Sequence, residues 1–189
     1  MARIIYRTIL VIGDNHKEIA RKYSADTPNN TNAFYKYERC QQHRLEVTGE
    51  EGDFSDPFPL KDGGKSYSAH FNDIDWSKIH RNPDRIKLND RVWELVVNDD
   101  EPKNDYEKYI KDRMYERISY FEDNFKTKEE FINHSSSLWY WGVATEDKYE
   151  EVEEDVSEME WCVNFFDKFL KGLEETNPLI TIYETHCLD

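Results

Sequence analysis

Imidazole and carboxylate groups close together are what a zinc or non-haem iron site requires. The run His70-Phe71-Asn72-Asp73-Ile74-Asp75, with His80 downstream, supplies four of them. Their spacing matches no established ligand motif, and ligand type without spacing is a weak signal. The plainer account is a polar turn in which Asp73 or Asp75 caps a helical turn starting at Trp76. Cys40-Gln41-Gln42-His43 also sets two metal-capable side chains a turn apart, with no second pair at matching distance. His186 and Cys187 are neighbours on a strand-like segment, where adjacent side chains point to opposite faces. A half-buried cysteine and an exposed histidine account for Cys40 and His43 without a metal.

Nucleophilic catalysis needs a serine or cysteine near a histidine, and His134 stands directly before Ser135, Ser136 and Ser137. Adjacency in sequence is not a hydrogen-bonded pair. No Gly-x-Ser-x-Gly elbow is present, and the serines fit a turn between a helix and a strand. Phosphate-binding loops are missing too: Gly13 stands alone after an apolar run, and Gly63-Gly64-Lys65 lacks the upstream glycine of a P-loop. Trp139-Tyr140-Trp141 could form a stacking platform for bases or sugars. On a strand, Trp139 and Trp141 share one face and Tyr140 takes the other. The plainer account packs both tryptophans under helices and leaves Tyr140 exposed.

The strongest positional signal is charge. Between Thr145 and Glu160 stand Glu146, Asp147, Glu150, Glu151, Glu153, Glu154, Asp155, Glu158 and Glu160, opposed only by Lys148; Asp99, Asp100 and Glu101 form a smaller group. A solvated loop before a helix explains Glu158 and Glu160, because acids are favoured at a helix N-terminus. It does not require the others. The whole chain of 189 residues carries 25 Lys and Arg against 40 Asp and Glu, a formal charge of −15. Residues 1–45 hold eight of those bases and four of those acids, which leaves 17 bases and 36 acids, or −19, in 46–189. Such a surface disfavours direct binding to nucleic acid, whose affinity comes largely from neutralised phosphates. It equally disfavours an anionic membrane.

A hydrophobic fraction of 38% beside 34% charged residues would approach disorder, but 14% aromatic residues supply large buried areas per side chain. One folded domain over 1–189 is expected. Three cysteines without metal-like spacing, and an N-terminus without a signal-type apolar region, fit a reducing, cytoplasmic setting. No apolar run is long enough to span a bilayer.

The elements that must position these groups follow from periodicity. Residues 4–12 are β-branched and close at Gly13-Asp14, giving a buried strand, and Asp14 is placed to cap a helix through Ala25. A turn-rich segment of about 26–82 leaves room for short strands near Ala33–Tyr37 and Arg44–Thr48. Asn82-Pro83 begins a helix to Val97 with Leu88, Val92, Leu95 and Val96 at helical spacing. Capping-box patterns at Asn104/Glu107, Thr127/Glu130 and Ser157/Glu160 open three more helices, the first continuing through Phe125 and the second ending near His134. The last runs until Asn177-Pro178. Strands are expected at Leu138–Thr145 and Leu179–His186. The resulting class is α+β: a small sheet formed with the N- and C-terminal strands, covered on one face by long amphipathic helices.

Phe-Asn-Asp-Ile-Asp-Trp (71–76), Arg-Val-Trp-Glu-Leu-Val-Val-Asn-Asp-Asp-Glu-Pro-Lys-Asn (91–104) and Asn-Phe-Lys-Thr-Lys-Glu-Glu-Phe (124–131) resemble the wording of a family of uncharacterised proteins encoded by tailed bacteriophages. The resemblance spans the central part of the chain and contains no catalytic signature. It implies a viral protein acting in the host cytoplasm or built into the particle. The expectation is a non-enzymatic acidic protein without cofactor, docking on a basic surface of a host or defence protein, with carboxylates standing in for phosphates. Its candidate partner-binding residues are Asp99, Asp100, Glu101, Glu146, Asp147, Glu150, Glu151, Glu153, Glu154 and Asp155. The alternatives are a virion or assembly component, and a metal-dependent enzyme using His70, Asp73, Asp75 and His80. Oligomeric state is left open.

Overall fold

The structure, a computed structural model, describes residues 4–23, 44–47, 56–115, 118–152 and 158–188. In chain order its elements are β1 (Ile4–Ile12), α1 (His16–Tyr23), β2 (Arg44–Val47), β3 (Phe58–Pro59), β4 (Lys65–Ser66), β5 (Ser68–His70) and α2 (Pro83–Val96). There follow α3 (Asp105–Tyr115), α4 (Ile118–Asn124), α5 (Lys128–Ser136), β6 (Gly142–Ala144), β7 (Tyr149–Glu151), α6 (Glu158–Phe169) and β8 (Leu179–Leu188). The class is α+β, as the sequence indicates. The candidate strand at 33–37 and the Cys40/His43 pair lie outside the described residues. Backbone contacts divide the chain into a sheet unit, Met1–Trp76 with Trp139–Asp189, and a helical unit, Ser77–Leu138.

In the sheet unit the two terminal strands are the centre. β1 and β8 pair antiparallel from Ile4↔Leu188 to Ile12↔Ile180, and β6 adds to β1 in parallel. The order is β2-β8-β1-β6-β7, with β5 also pairing to β8 at Leu179–Thr181. Alternation assigns Val11, Ala144 and Tyr183 to one face, where they form a core with Ile19 and Ala20 of α1. Leu10, Val143 and Ile182, in register with each other, occupy the opposite face and are also buried. Both faces of the central strands are therefore covered. That explains why β1 reads as a continuous apolar run and not as an alternating one.

The helical unit is held by aromatic rings. Phe131 stands 4.9 Å from Phe121, 5.3 Å from Phe125 and 5.8 Å from Trp93 between ring centres. Its helix starts follow the sequence closely. The Asn82 carboxamide oxygen accepts from the amides of Asp84 and Arg85 with Pro83 in the first turn, and Thr127 and Glu130 form the reciprocal capping box. At α3 the box is altered. Asn104 accepts from the Glu107 amide, but the Glu107 carboxylate turns to the Lys103 amide and to Arg91.

Several expectations need correction. Asp14 does not cap α1; its carboxylate accepts from the Leu179 amide at 3.2 Å and ties the β1–α1 turn to β8. Leu88 is exposed, off the buried stripe of Val92, Leu95 and Val96. The 138–145 strand is only Gly142–Ala144, and Ser135 and Ser136 belong to α5, not to the turn after it. α6 ends at Phe169, well before Asn177, and the intervening residues make turns with Gly172 at φ +90°. Tyr149–Glu151 is an edge strand, not loop, because it pairs with β6 through a turn at residues 145–148.

Candidate functional site

The β3–β4 hairpin, β5 and the 3-10 turn Phe71–Asp73 enclose a cleft of about 540 Å³ in the sheet unit. Its polar lining comes from Lys61, Asp62, Ser66, Ser68, His70 and Asp73. Turn chemistry builds one wall: Asp62 accepts from the Gly64 amide at 2.8 Å, and Gly63 takes the positive φ of +92° that the tight reversal demands. The hairpin is pinned at its base, where the Lys61 amide donates to the Asp73 carbonyl and the Asp75 amide to the Pro59 carbonyl. On the other wall Ser68 and Thr181 share a hydroxyl–hydroxyl bond of 2.7 Å across β5 and β8.

His70 and Asp73, singled out by sequence, do line one cleft. His70 Nδ1 lies 3.1 Å from the Asn177 carbonyl oxygen; a carbonyl only accepts, so Nδ1 carries the proton. His80 is elsewhere, in the helical unit, where Nδ1 accepts from the Leu138 amide at 3.2 Å. A 3-10 turn does begin at Trp76, beside Asp75. Among the described residues no group of three or more His, Cys, Asp or Glu is placed to hold a metal ion. Sequence reading missed Lys61, Asp62, Ser66 and Ser68. Asp62-Gly63 was the available signal, since this dipeptide favours hairpins, but its flanking strands are too short to show periodicity.

The acidic candidates fall in both units, and many are internally paired. In the helical unit Asp99 bonds Lys111 at 2.6 Å and Asp100 bonds Arg91 at 2.7 Å. Arg91 also binds Glu107 and the Glu101 carbonyl, fastening the α2–α3 connection, and the Arg91 guanidinium, with the Lys103 amide, holds the Glu107 carboxyl below its ordinary range. In the sheet unit Glu150 pairs with Lys148 and with Lys168, which together hold its carboxyl low. Glu151 accepts from the Tyr149 hydroxyl at 2.9 Å. Glu101, Glu146 and Asp147 are exposed and have no cationic side-chain partner among the described residues. Glu153, Glu154 and Asp155 lie outside the described residues.

Tyr140 is half-buried, not the exposed member of its motif, because the chain has not yet entered β6 and strand alternation does not apply. Its ring packs on Phe165, its carbonyl accepts from the Trp161 indole at 2.8 Å, and burial pushes its hydroxyl pKa well up. Trp139 and Trp141 stack edge to face, with Arg7 5.0 Å from the Trp141 ring centre. The motif is structural in this setting.

A pair the sequence did not suggest is His16 Nδ1 with the Tyr183 hydroxyl, 2.8 Å apart. Burial, with Lys17 adding, lowers the His16 pKa from 6.5, and burial raises that of Tyr183 to about 12. A folded-state pKa below the unfolded one means that the folded chain resists protonation. The stabilisation is complete above pH 6.5 and is lost as pH falls through the lowered value. An NMR titration of the imidazole is expected to give a midpoint under 6.5 for His16, and the unfolding midpoint of His16→Asn is expected to depend less on pH between 8 and about 5 than that of the native chain. An imidazole midpoint at or above the ordinary value rejects the assignment.

No described helix is long and apolar enough to cross a membrane. No family model, curated protein or solved structure matches the chain.

Proposed function

We propose that the chain is a non-enzymatic acidic interaction protein that docks on a basic surface of a partner protein. The observation behind it is the charge of −15. Internal pairs absorb Asp99, Asp100 and Glu150, while Glu101, Glu146 and Asp147 stay open to solvent and Glu153, Glu154 and Asp155 add to the excess. Charge of one sign accelerates encounter with the opposite sign and discriminates against nucleic acid itself. The resemblance of 71–76, 91–104 and 124–131 to phage-encoded wording would imply a partner among host or defence proteins, with carboxylates occupying positions that phosphates would take.

Affinity capture with the tagged full chain from a bacterial lysate, repeated at low and high salt, tests this. Captured proteins are expected to be more basic than background and to be lost at high salt. Joint Glu146→Lys and Asp147→Lys replacement is expected to slow association about tenfold. Capture that ignores salt, or partners no more basic than background, rejects the reading. A second reading, as a virion or assembly component, is favoured by Tyr106, Tyr109 and Tyr120, which are 61, 56 and 49% exposed. Tyrosine is enriched in interface cores. Its absence from purified particles by mass spectrometry rules that out.

A further inference from the structure

We infer that the cleft at the β3–β4 hairpin receives a single cationic side chain, an arginine guanidinium or a lysine ammonium, presented by the partner protein. This rests on the acidic docking reading and names the place where docking becomes specific. At about 540 Å³ the cleft lies within the range of sites that enclose an organic group. Leu60, Ala69 and Leu179 give it apolar lining against which the methylene stem of a long basic side chain can lie.

The polar lining selects the head group. Asp62 and Asp73 carry two negative charges and Lys61 one positive charge, leaving one negative charge for a monovalent cation to balance. His70 adds an acceptor. With Nδ1 donating to the Asn177 carbonyl, the neutral ring keeps its lone pair on Nε2, free to accept from an N–H of the guest. An anion would meet two carboxylates inside the field of a chain at −15, and a neutral polyol would leave the cleft charge unbalanced. A metal ion is disfavoured because, among the described residues, no three His, Cys, Asp or Glu side chains stand close enough together to hold one, those of the cleft included.

The walls are fixed before any guest arrives. The Leu60–Ile74 bridge and the Lys61-to-Asp73 bond hold the hairpin. Pairing of Ser68–His70 with Leu179–Thr181, and the Phe71 amide donating to Pro178, hold the opposite side. A preformed site loses little ordering entropy on binding.

The test is an NMR titration of the nitrogen-15-labelled full chain with Nα-acetyl-arginine amide and Nα-acetyl-lysine amide. Nα-acetyl-citrulline amide, glucose and inorganic phosphate serve as comparisons. Saturable shifts are expected at the amides of residues 61–62 and 68–73 for the two cations, with affinity on the order of millimolar. Citrulline is expected to bind at least about fivefold more weakly, and Asp73→Asn to weaken arginine binding by a similar factor. His70 and Asp73 are exposed, so His70→Ala and Asp73→Asn are expected to leave the rest of the spectrum unchanged. Cleft amides that do not respond to either cation, or that respond equally to citrulline, phosphate or glucose, overturn the assignment. Shifts confined to residues 146–148 also overturn it, while leaving the docking of a basic surface intact.

Discussion

Replacing Phe131 by alanine is expected to cost the helical unit roughly 3–5 kcal/mol, the range for deleting a buried phenylalanine ring. Phe131 is 6% exposed and its ring is in contact with those of Trp93, Phe121 and Phe125. Its removal leaves a void bordered by three rigid rings, which cannot collapse as flexible aliphatic side chains can. The loss is comparable with the lower end of a domain's whole stability, about 5–15 kcal/mol. Hydrogen exchange of amides in α2 and α5 is expected to accelerate by two to three orders of magnitude, following about 1.4 kcal/mol per factor of ten. Phe131→Leu, which refills most of the volume, is expected to recover most of that protection. Exchange in Phe131→Ala that matches the native chain rejects the ring cluster as the core of this unit.

How much of this was legible in sequence depends on the length scale of the signal. Asn82-Pro83 and Thr127/Glu130 announced their helices because capping is a contract between residues two or three positions apart, and the structure contains both caps. The terminal strands were legible because β1 and β8 are nine and ten residues long and rich in β-branched side chains. The cleft was only half legible. His70 and Asp73 stood out by type, but Lys61, Asp62, Ser66 and Ser68 join them through a hairpin turn and strands of two or three residues that no periodicity reveals. His80 looked like a fourth member because it is near in sequence, yet a turn at Arg81 with φ +47° and the start of α2 place it with the helices.

Charge shows the opposite limitation. The excess of acids is plain in composition, but which acids face a partner depends on ion pairs between distant residues. Arg91 joins Asp100 and Glu107, and Lys168 reaches Glu150 from another element. These pairs convert part of a uniform acidic run into fastening for α3 and β7. The open residues are consequently fewer than the run suggests, and the test of docking is better aimed at Glu146 and Asp147 than at Glu150.

In the sheet unit the corresponding large effect is expected for Phe165→Ala, again about 3–5 kcal/mol. Phe165 is fully buried on α6 and its ring meets those of Tyr140, Trp161 and Phe169. Cys162, on the preceding turn of the helix, is also fully buried, and burial together with Glu158 pushes its thiol up to about 12. A thiol that is both enclosed and protonated reacts only when the unit opens, so its modification rate follows the population of the open form. With Cys40 and Cys187 replaced by serine, Cys162 is expected to resist a thiol reagent at pH 8 in the native background. Phe165→Ala is expected to speed its labelling about a hundredfold or more, the equivalent of about 3 kcal/mol. Phe165→Leu, which retains most of the packing, is expected to label near the native rate. If labelling in Phe165→Ala stays at the native rate while the unfolding midpoint falls, Cys162 is not sealed by this cluster and the packing of α6 on Tyr140 must be redrawn.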